Sequence, residues 1–255
     1  MNEVKRKLAN GELTIGTMIF ESNTPGIAPI IAAAGAEFAL YDMEHTGIGI
    51  ESVRQLMSYN RGVDIVPIVR VPSAEYTYMA RVLDVGAKGI MVPFVNTKEQ
   101  AEQVVKATKY YPLGERGVVF GLAHDDFTGG PIAEKMKEKN DDTLIIVQIE
   151  TEEAMENLEA IASTEGIDVL FIGSIDLSQS MGIPGELDHP RIVAAMERVV
   201  EVCDKYGKAA GCIVMTPKAA ADWIKKGYRF VSISGDVWLL QYALKKSIKE
   251  IKEQL

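Results

Sequence analysis

Apolar and polar positions along the chain fall into blocks of two kinds. Short runs rich in apolar and β-branched residues recur at 13–20, 38–44, 64–71, 89–95, 143–150, 168–176, 209–215 and 229–235. Longer stretches with apolar residues at helical spacing lie between them, such as 51–60, 74–87, 98–111, 152–163 and 190–207. Several end in glycine, asparagine or a glycine-containing turn, as helix C-termini do. Strands that are apolar almost throughout are covered on both faces, which points to a parallel sheet. Eight such strands, each followed by a helix, predict an α/β protein, a single (β/α)8 TIM barrel domain over 1–255. An open doubly wound sheet fits less well: it usually has fewer strands and often a glycine-rich turn after the first.

One segment breaks the alternation. Residues 112–142 form an insertion of 31 residues between a helix and the fifth strand, and an irregular stretch of that length is usually functional or mobile. Composition then narrows the function classes. With 27 basic against 36 acidic residues the net charge is −9, which argues against a nucleic-acid partner, whose recognition needs a basic face. No apolar run approaches the ~20 residues that would cross a membrane. The N-terminus is basic and polar without the apolar core of a signal peptide. Two cysteines, Cys203 and Cys212, are too few for a disulfide framework and fit a reducing cytoplasm.

In a barrel of this kind the active site lies at the C-terminal ends of the strands. Those ends carry Asp42, Glu44 and His45 on the second strand, Arg70 on the third, and Gln148 and Glu150 on the fifth. The sixth brings Ser174 and Asp176, and the eighth ends near Ser234 and Asp236. Each has a structural alternative. Glu150 or Asp176 could cap the next helix, Arg70 could neutralise Asp42, and His45 could be a satisfied polar residue. Their convergence favours chemistry. Glu150 and Asp176 make an oxygen-rich pair suited to a hard divalent ion such as magnesium or manganese. Such an ion can act as a Lewis acid on the ketone of a 2-oxo acid. Arg70 can hold its carboxylate or the developing enolate oxygen, and His45 can move protons near neutral pH. A Schiff-base mechanism is disfavoured, because Lys88 precedes the fourth strand and no strand interior holds a lysine.

Several motifs occur together in order: Asp42-Met43-Glu44-His45, Arg70-Val71-Pro72, and Leu83 to Ala87 followed by Gly89 to Pro93. Tyr111-Pro112 through Arg116-Gly117, Gln148 to Thr151 and Asp176-Leu177-Ser178 continue the series. In these the chain resembles the HpcH/HpaI aldolases, class II metal-dependent pyruvate aldolases, from about residue 12 to residue 236. The resemblance implies a divalent ion (magnesium, manganese or cobalt) on Glu150 and Asp176. It implies pyruvate held by Arg70, Gln148, Gly173, Ser174 and Asp176, with His45 as acid/base and Asp84 orienting it. It also implies a homohexamer, a trimer of dimers, in which a C-terminal helix over 237–255 packs on a neighbour through Trp238, Leu239, Leu240 and Leu244. Ser174 stands where the family usually has proline, and 118–127 departs from its alanine- and arginine-rich segment, so the aldehyde acceptor is left open. The expected activity is reversible cleavage of a 4-hydroxy-2-oxo acid to pyruvate and an aldehyde. The alternatives are a coenzyme A-ester lyase of the citrate lyase β or malyl type, and a non-catalytic 2-oxo-acid binding protein.

Overall fold

The computed structural model describes residues 2–255. Eight parallel strands close in chain order into a barrel, so the predicted fold is the observed one. They are β1 (Thr14–Ile19), β2 (Phe38–Asp42), β3 (Val66–Arg70), β4 (Gly89–Val92), β5 (Leu144–Ile149), β6 (Val169–Ile172), β7 (Ala209–Val214) and β8 (Phe230–Gly235). The helices are α1 (Glu3–Ala9), α2 (Ile27–Ala33), α3 (Ile50–Tyr59), α4 (Tyr76–Asp84), α5 (Lys98–Thr108) and α6 (Ile132–Asp142). After β5 come α7 (Glu152–Glu156), α8 (Leu158–Ala162), α9 (Ser174–Ser180), α10 (Pro190–Tyr206), α11 (Pro217–Lys225) and α12 (Asp236–Lys252).

Strand alternation divides the apolar residues between two cores. Ala39, Tyr41, Ile145, Val147 and Ile149 face outward into the layer shared with the helices. Phe38, Leu40, Ile68, Met91, Leu144, Ile146, Val169, Phe171 and Phe230 face inward and fill the barrel. Phe38 and Phe230 stack there with centroids 4.1 Å apart. The N-terminal end of the barrel is sealed by α1, whose Val4 and Leu8 join the inner core; burying such side chains contributes about 1.5–3 kcal/mol each. Asn2 and Lys5 fasten that helix by donating to the Lys88 and Thr143 carbonyls at 2.9 and 2.7 Å.

The structure differs from the sequence expectation in three places. The 112–142 insertion is not irregular throughout, because its last third is α6 and a 3-10 turn forms at Ala123–Asp125. It also begins where α5 has returned the chain to the N-terminal end of the barrel, so it sits under the base. The helix expected over 152–163 divides at Asn157, whose side-chain amide donates to the Asn96 carbonyl at 2.9 Å. The sixth strand stops at Ile172, and Ser174 and Asp176 belong to the first turn of α9. The expected C-terminal helix is present as α12, which has no buried residue along its 17 positions. Its in-chain packing is confined to its start, where Trp238 meets Phe20 edge-on at 4.9 Å, while Leu240, Tyr242 and Leu244 are exposed. Among the described residues no helix is long and apolar enough to cross a membrane.

Candidate active site

The inward face of several strands turns from apolar to polar at its C-terminal end. Leu40 is followed two residues on by Asp42, Ile68 by Arg70, and Ile146 by Gln148 and then Glu150. A period of two keeps each set on one face, so the polar groups cap the barrel's own core. That is why a run built for burial ends on a carboxylate.

Asp42 is fully buried and organises one wall of the pocket. One oxygen accepts from Arg70 Nε at 2.6 Å and from the Glu44 backbone N–H at 3.0 Å. The other accepts from the His45 backbone N–H at 3.1 Å. Arg70 Nη1 lies 3.1 Å from Glu44 Oε2, so the guanidinium is aimed by two carboxylates. Burial pushes the Glu44 carboxyl above its usual range, with Asp42 and Asp176 adding to the effect and Arg70 and His45 opposing it. The imidazole of His45 is largely exposed, and its Nε2 is 3.7 Å from Glu44 Oε2.

Glu150 forms the opposite wall and is 1% exposed. Its Oε1 accepts from the Phe94 backbone N–H at 2.7 Å, and its Oε2 from Gln148 Nε2 at 2.9 Å. Phe94 reaches that position with φ of 53°, a conformation that is uncommon for a bulky residue and tends to mark functional sites. Burial raises the Glu150 pKa to about 7, and the nearby charges of Glu44 and Asp176 push the same way against Phe94 N–H and Arg70. Gln148 is also buried, and its Oε1 has no partner. Gly173 is the residue that makes room: a Cβ there would stand 2.5 Å from Glu150 Oε2 and 2.8 Å from Glu150 Cβ.

His45, Arg70, Gln148, Glu150, Gly173, Ser174 and Asp176 therefore gather at one mouth of the barrel. Asp84 does not. It closes α4, which carries the chain from the C-terminal end of β3 down to the start of β4, and there it pairs with Arg116 at 2.6 Å. In this chain the carboxylate beside His45 is Glu44. Asp236 serves the fold, accepting from the Phe20, Glu21 and Ser22 backbone N–H groups and so tethering the loop after β1. His189 caps α10 by accepting from the Arg191 N–H. The sequence reading missed the Phe94 N–H, since a backbone donor leaves no trace in residue type. It left Glu44 without a role, although the acid stood beside His45 in the motif.

Two carboxylates, a fork of guanidinium donors and an amide oxygen can bind a hard cation and a 2-oxo acid together. Among the described residues no three His, Cys, Asp or Glu side chains enclose a metal position, so water and substrate would have to complete the shell around two.

Similarity to known proteins runs along nearly the whole chain. It is 35% identical over 251 residues to 2-keto-3-deoxy-L-rhamnonate aldolase of Klebsiella pneumoniae, covering 98% of this chain and 93% of that one. It is 33% identical over 253 residues to 5-keto-4-deoxy-D-glucarate aldolase of Shigella boydii, covering 99% and 97%. The crystal structure of an HpcH/HpaI aldolase from Desulfitobacterium hafniense superposes with a TM-score of 0.93 at 34% identity, covering 98% of this chain and 96% of that one. The family model for HpcH/HpaI aldolase/citrate lyase matches residues 17–243, and with that span and these relatives the chain belongs to the HpcH/HpaI aldolase family.

Proposed function

We propose that the protein is a divalent-metal-dependent aldolase that cleaves a 4-hydroxy-2-oxo acid, of the 2-keto-3-deoxy sugar-acid class, to pyruvate and an aldehyde. The observation that carries this reading is the placement of Glu150. A carboxylate is buried at the barrel mouth, oriented by Phe94 and Gln148, and pushed up to about 7 among other acids. Such a group gains most from a cation. Glu150 and Asp176 would hold a magnesium or manganese ion, and the unpartnered Gln148 Oε1 adds one more hard oxygen beside them. When bound, the ion supplies Lewis-acid polarisation of the 2-oxo group.

The chain's own residues account for the remaining steps. Arg70, held by Asp42 and Glu44, binds the carboxylate or the oxygen on which charge develops. The first turn of α9, from Ser174, completes the wall opposite it. His45, at the rim, takes the proton from the 4-hydroxyl as the C3–C4 bond breaks and its electron pair moves toward C2. The aldehyde departs toward solvent, and His45 returns the proton to C3 to give pyruvate. Asp84 enters this scheme only if a neighbouring copy supplies it.

The same reading includes a homohexamer in which a second copy covers the exposed apolar side of α12. It places the enzyme in the cytoplasm, in keeping with two buried free cysteines. The test is pyruvate release from 2-keto-3-deoxy-L-rhamnonate and 5-keto-4-deoxy-D-glucarate by chelated and Mn²⁺-reloaded enzyme, with light scattering for the assembly. Metal-dependent pyruvate supports the proposal; no pyruvate from either substrate, or equal release without metal, rejects it.

A further inference from the structure

The polar groups at the mouth do not encircle it. Glu44, His45 and Arg70 stand at the ends of β2 and β3. Further round the barrel the strands lead into large apolar side chains: Phe94 after β4, Ile175 after β6 and Met215 after β7, which are 49%, 61% and 50% exposed. Strand period places Met215, because Ile213 packs on the inner core and the residue two further on keeps that face. Phe94 is placed by its backbone N–H, which holds Glu150. Ile175 lies between Ser174 and Asp176 in the first turn of α9. Apolar groups left bare beside a polar cluster tend to mark a ligand-binding surface.

The cations of this end are few and already engaged. The connections that leave the C-terminal ends of the strands, 20–26, 43–49, 71–75, 93–97, 150–151, 173, 181–189 and 215–216, contain no lysine or arginine. Arg70, at the end of β3, is held by Asp42 and Glu44 and is the partner of the 2-oxo acid. The helix starts that follow add Lys98, Arg191 and Lys218. Arg191 binds Glu152 and the Met181 carbonyl, and Lys98 lies 3.7 Å from Glu102. Lys218 is exposed on α11, and a fully solvated charge holds an ion only weakly. A divalent ion would be answered by Glu150, Asp176 and the 2-oxo acid. A second carboxylate on the substrate would therefore meet no free cation of this chain, and it would join an acidic cluster.

We propose, resting on the aldolase reading above, that Phe94, Ile175 and Met215 form the wall that receives the aldehyde. They select an aldehyde with an uncharged, apolar end over one that ends in a carboxylate. The two halves of the substrate are then recognised in opposite ways: charge grips the pyruvate half, and burial against the apolar wall seats the far end of the aldehyde. Of the two sugar acids named above, the 6-deoxy acid, whose last carbon is a methyl, fits this wall, and the diacid does not.

Condensation of pyruvate with a matched pair of three-carbon aldehydes gives the test. The pair is 2-hydroxypropanal and 2-hydroxy-3-oxopropanoate, which share the aldehyde and hydroxyl and differ only in a methyl against a carboxylate. With Mn²⁺-loaded wild type, kcat/KM should favour the methyl-ended aldehyde by about 100-fold or more. Met215→Arg sets a cation in the wall and should narrow that ratio by about tenfold, through a higher value for the carboxylate aldehyde. Equal values in wild type, or an unchanged ratio in Met215→Arg, overturn the proposal. So does a preference for the carboxylate aldehyde, which would mean that a cation reaches the wall from a second copy. Should Met215→Arg not fold, the wild-type ratio still decides. Exchange of pyruvate methyl protons with deuterated water needs no acceptor and separates the two readings. Exchange with the preference reversed rejects this inference alone; no exchange and no condensation with either aldehyde rejects the aldolase reading and this inference with it.

Discussion

Two arginine–aspartate pairs close at the same distance at opposite ends of the barrel. Arg70 meets Asp42 at 2.6 Å below the mouth, and Arg116 meets Asp84 at 2.6 Å under the base. Both guanidiniums are nearly buried, and each pair read alone would pass for a structural clasp. Their neighbours differ. Around Arg70 stand Glu44, Glu150 and Asp176, so acids are in excess. Around Arg116 stand Lys88 and Lys139, and Asp125, Glu138 and Asp142 answer them, so no charge is left over. A buried ion pair is weak evidence of anything by itself; the charge left over after pairing says what the region can take up. The mouth, with acids left over, is suited to a cation with its chelating substrate, while the base, with its charges balanced, holds the fold.

Substitutions can break that contrast, and the largest effect is expected at the mouth. Glu150→Gln removes the charge that would hold the ion while keeping the shape, so pyruvate release should fall to the level of chelated wild type. Gly173→Ala should come close to it, since the new Cβ collides with the Glu150 carboxylate; isothermal titration with Mn²⁺ would show the lost affinity directly. Next comes His45→Ala. A base working near neutral pH contributes roughly 10²–10⁴-fold, and exchange of pyruvate methyl protons in deuterated water isolates that step from any aldehyde. An alanine variant that exchanges as fast as wild type would remove His45 from the mechanism.

A smaller effect sharpens the comparison of the two arginines. Arg70→Lys keeps a charge but loses the planar fork, so turnover should drop with little change in melting temperature. Arg116→Lys should instead cost about 1–2 kcal/mol of stability by leaving a buried hydrogen bond unmade. Reversal of these two outcomes in paired kinetics and calorimetry would undo the assignment of the ends. The smallest effect concerns pH. Burial holds the His124 pKa below the usual histidine value, so between those two values the unfolded chain binds a proton that the folded one refuses. Stability from this residue is therefore complete above about pH 6.5 and is lost as pH falls toward the folded pKa. His124→Gln should flatten that limb of a melting-temperature profile; an unchanged limb would mean that other groups produce it.

The barrel itself was legible because eight apolar runs alternating with helical spacing admit few architectures. The boundaries were less so. Asn157 reads as an acceptable helix residue until its side chain is seen tied to Asn96. The mouth residues were legible because strand period fixes facing: once Ile146 points inward, Gln148 and Glu150 must follow. Asp84 is the converse case, since the structure puts it at the base beside Arg116, away from His45 of its own chain. Its distance from His45 in sequence says nothing about which end of the barrel a helix delivers it to. Phe94 and Gly173 act through a backbone N–H and through missing atoms, and neither property is written in a pattern of polar and apolar letters.

The packed interior of the barrel also has a kinetic meaning. Leu40, Ile68, Ile146 and Phe171 fill the barrel beneath the polar groups, so the pocket has one door. In the proposed reaction the pyruvate half is gripped deep inside by Arg70, and the aldehyde half lies nearer the rim. Traffic through a cul-de-sac is last in, first out. Cleavage then releases the aldehyde before pyruvate, and synthesis admits pyruvate before the aldehyde. An obligatory order of binding and release would follow from the shape of the vessel, whatever acceptor it uses.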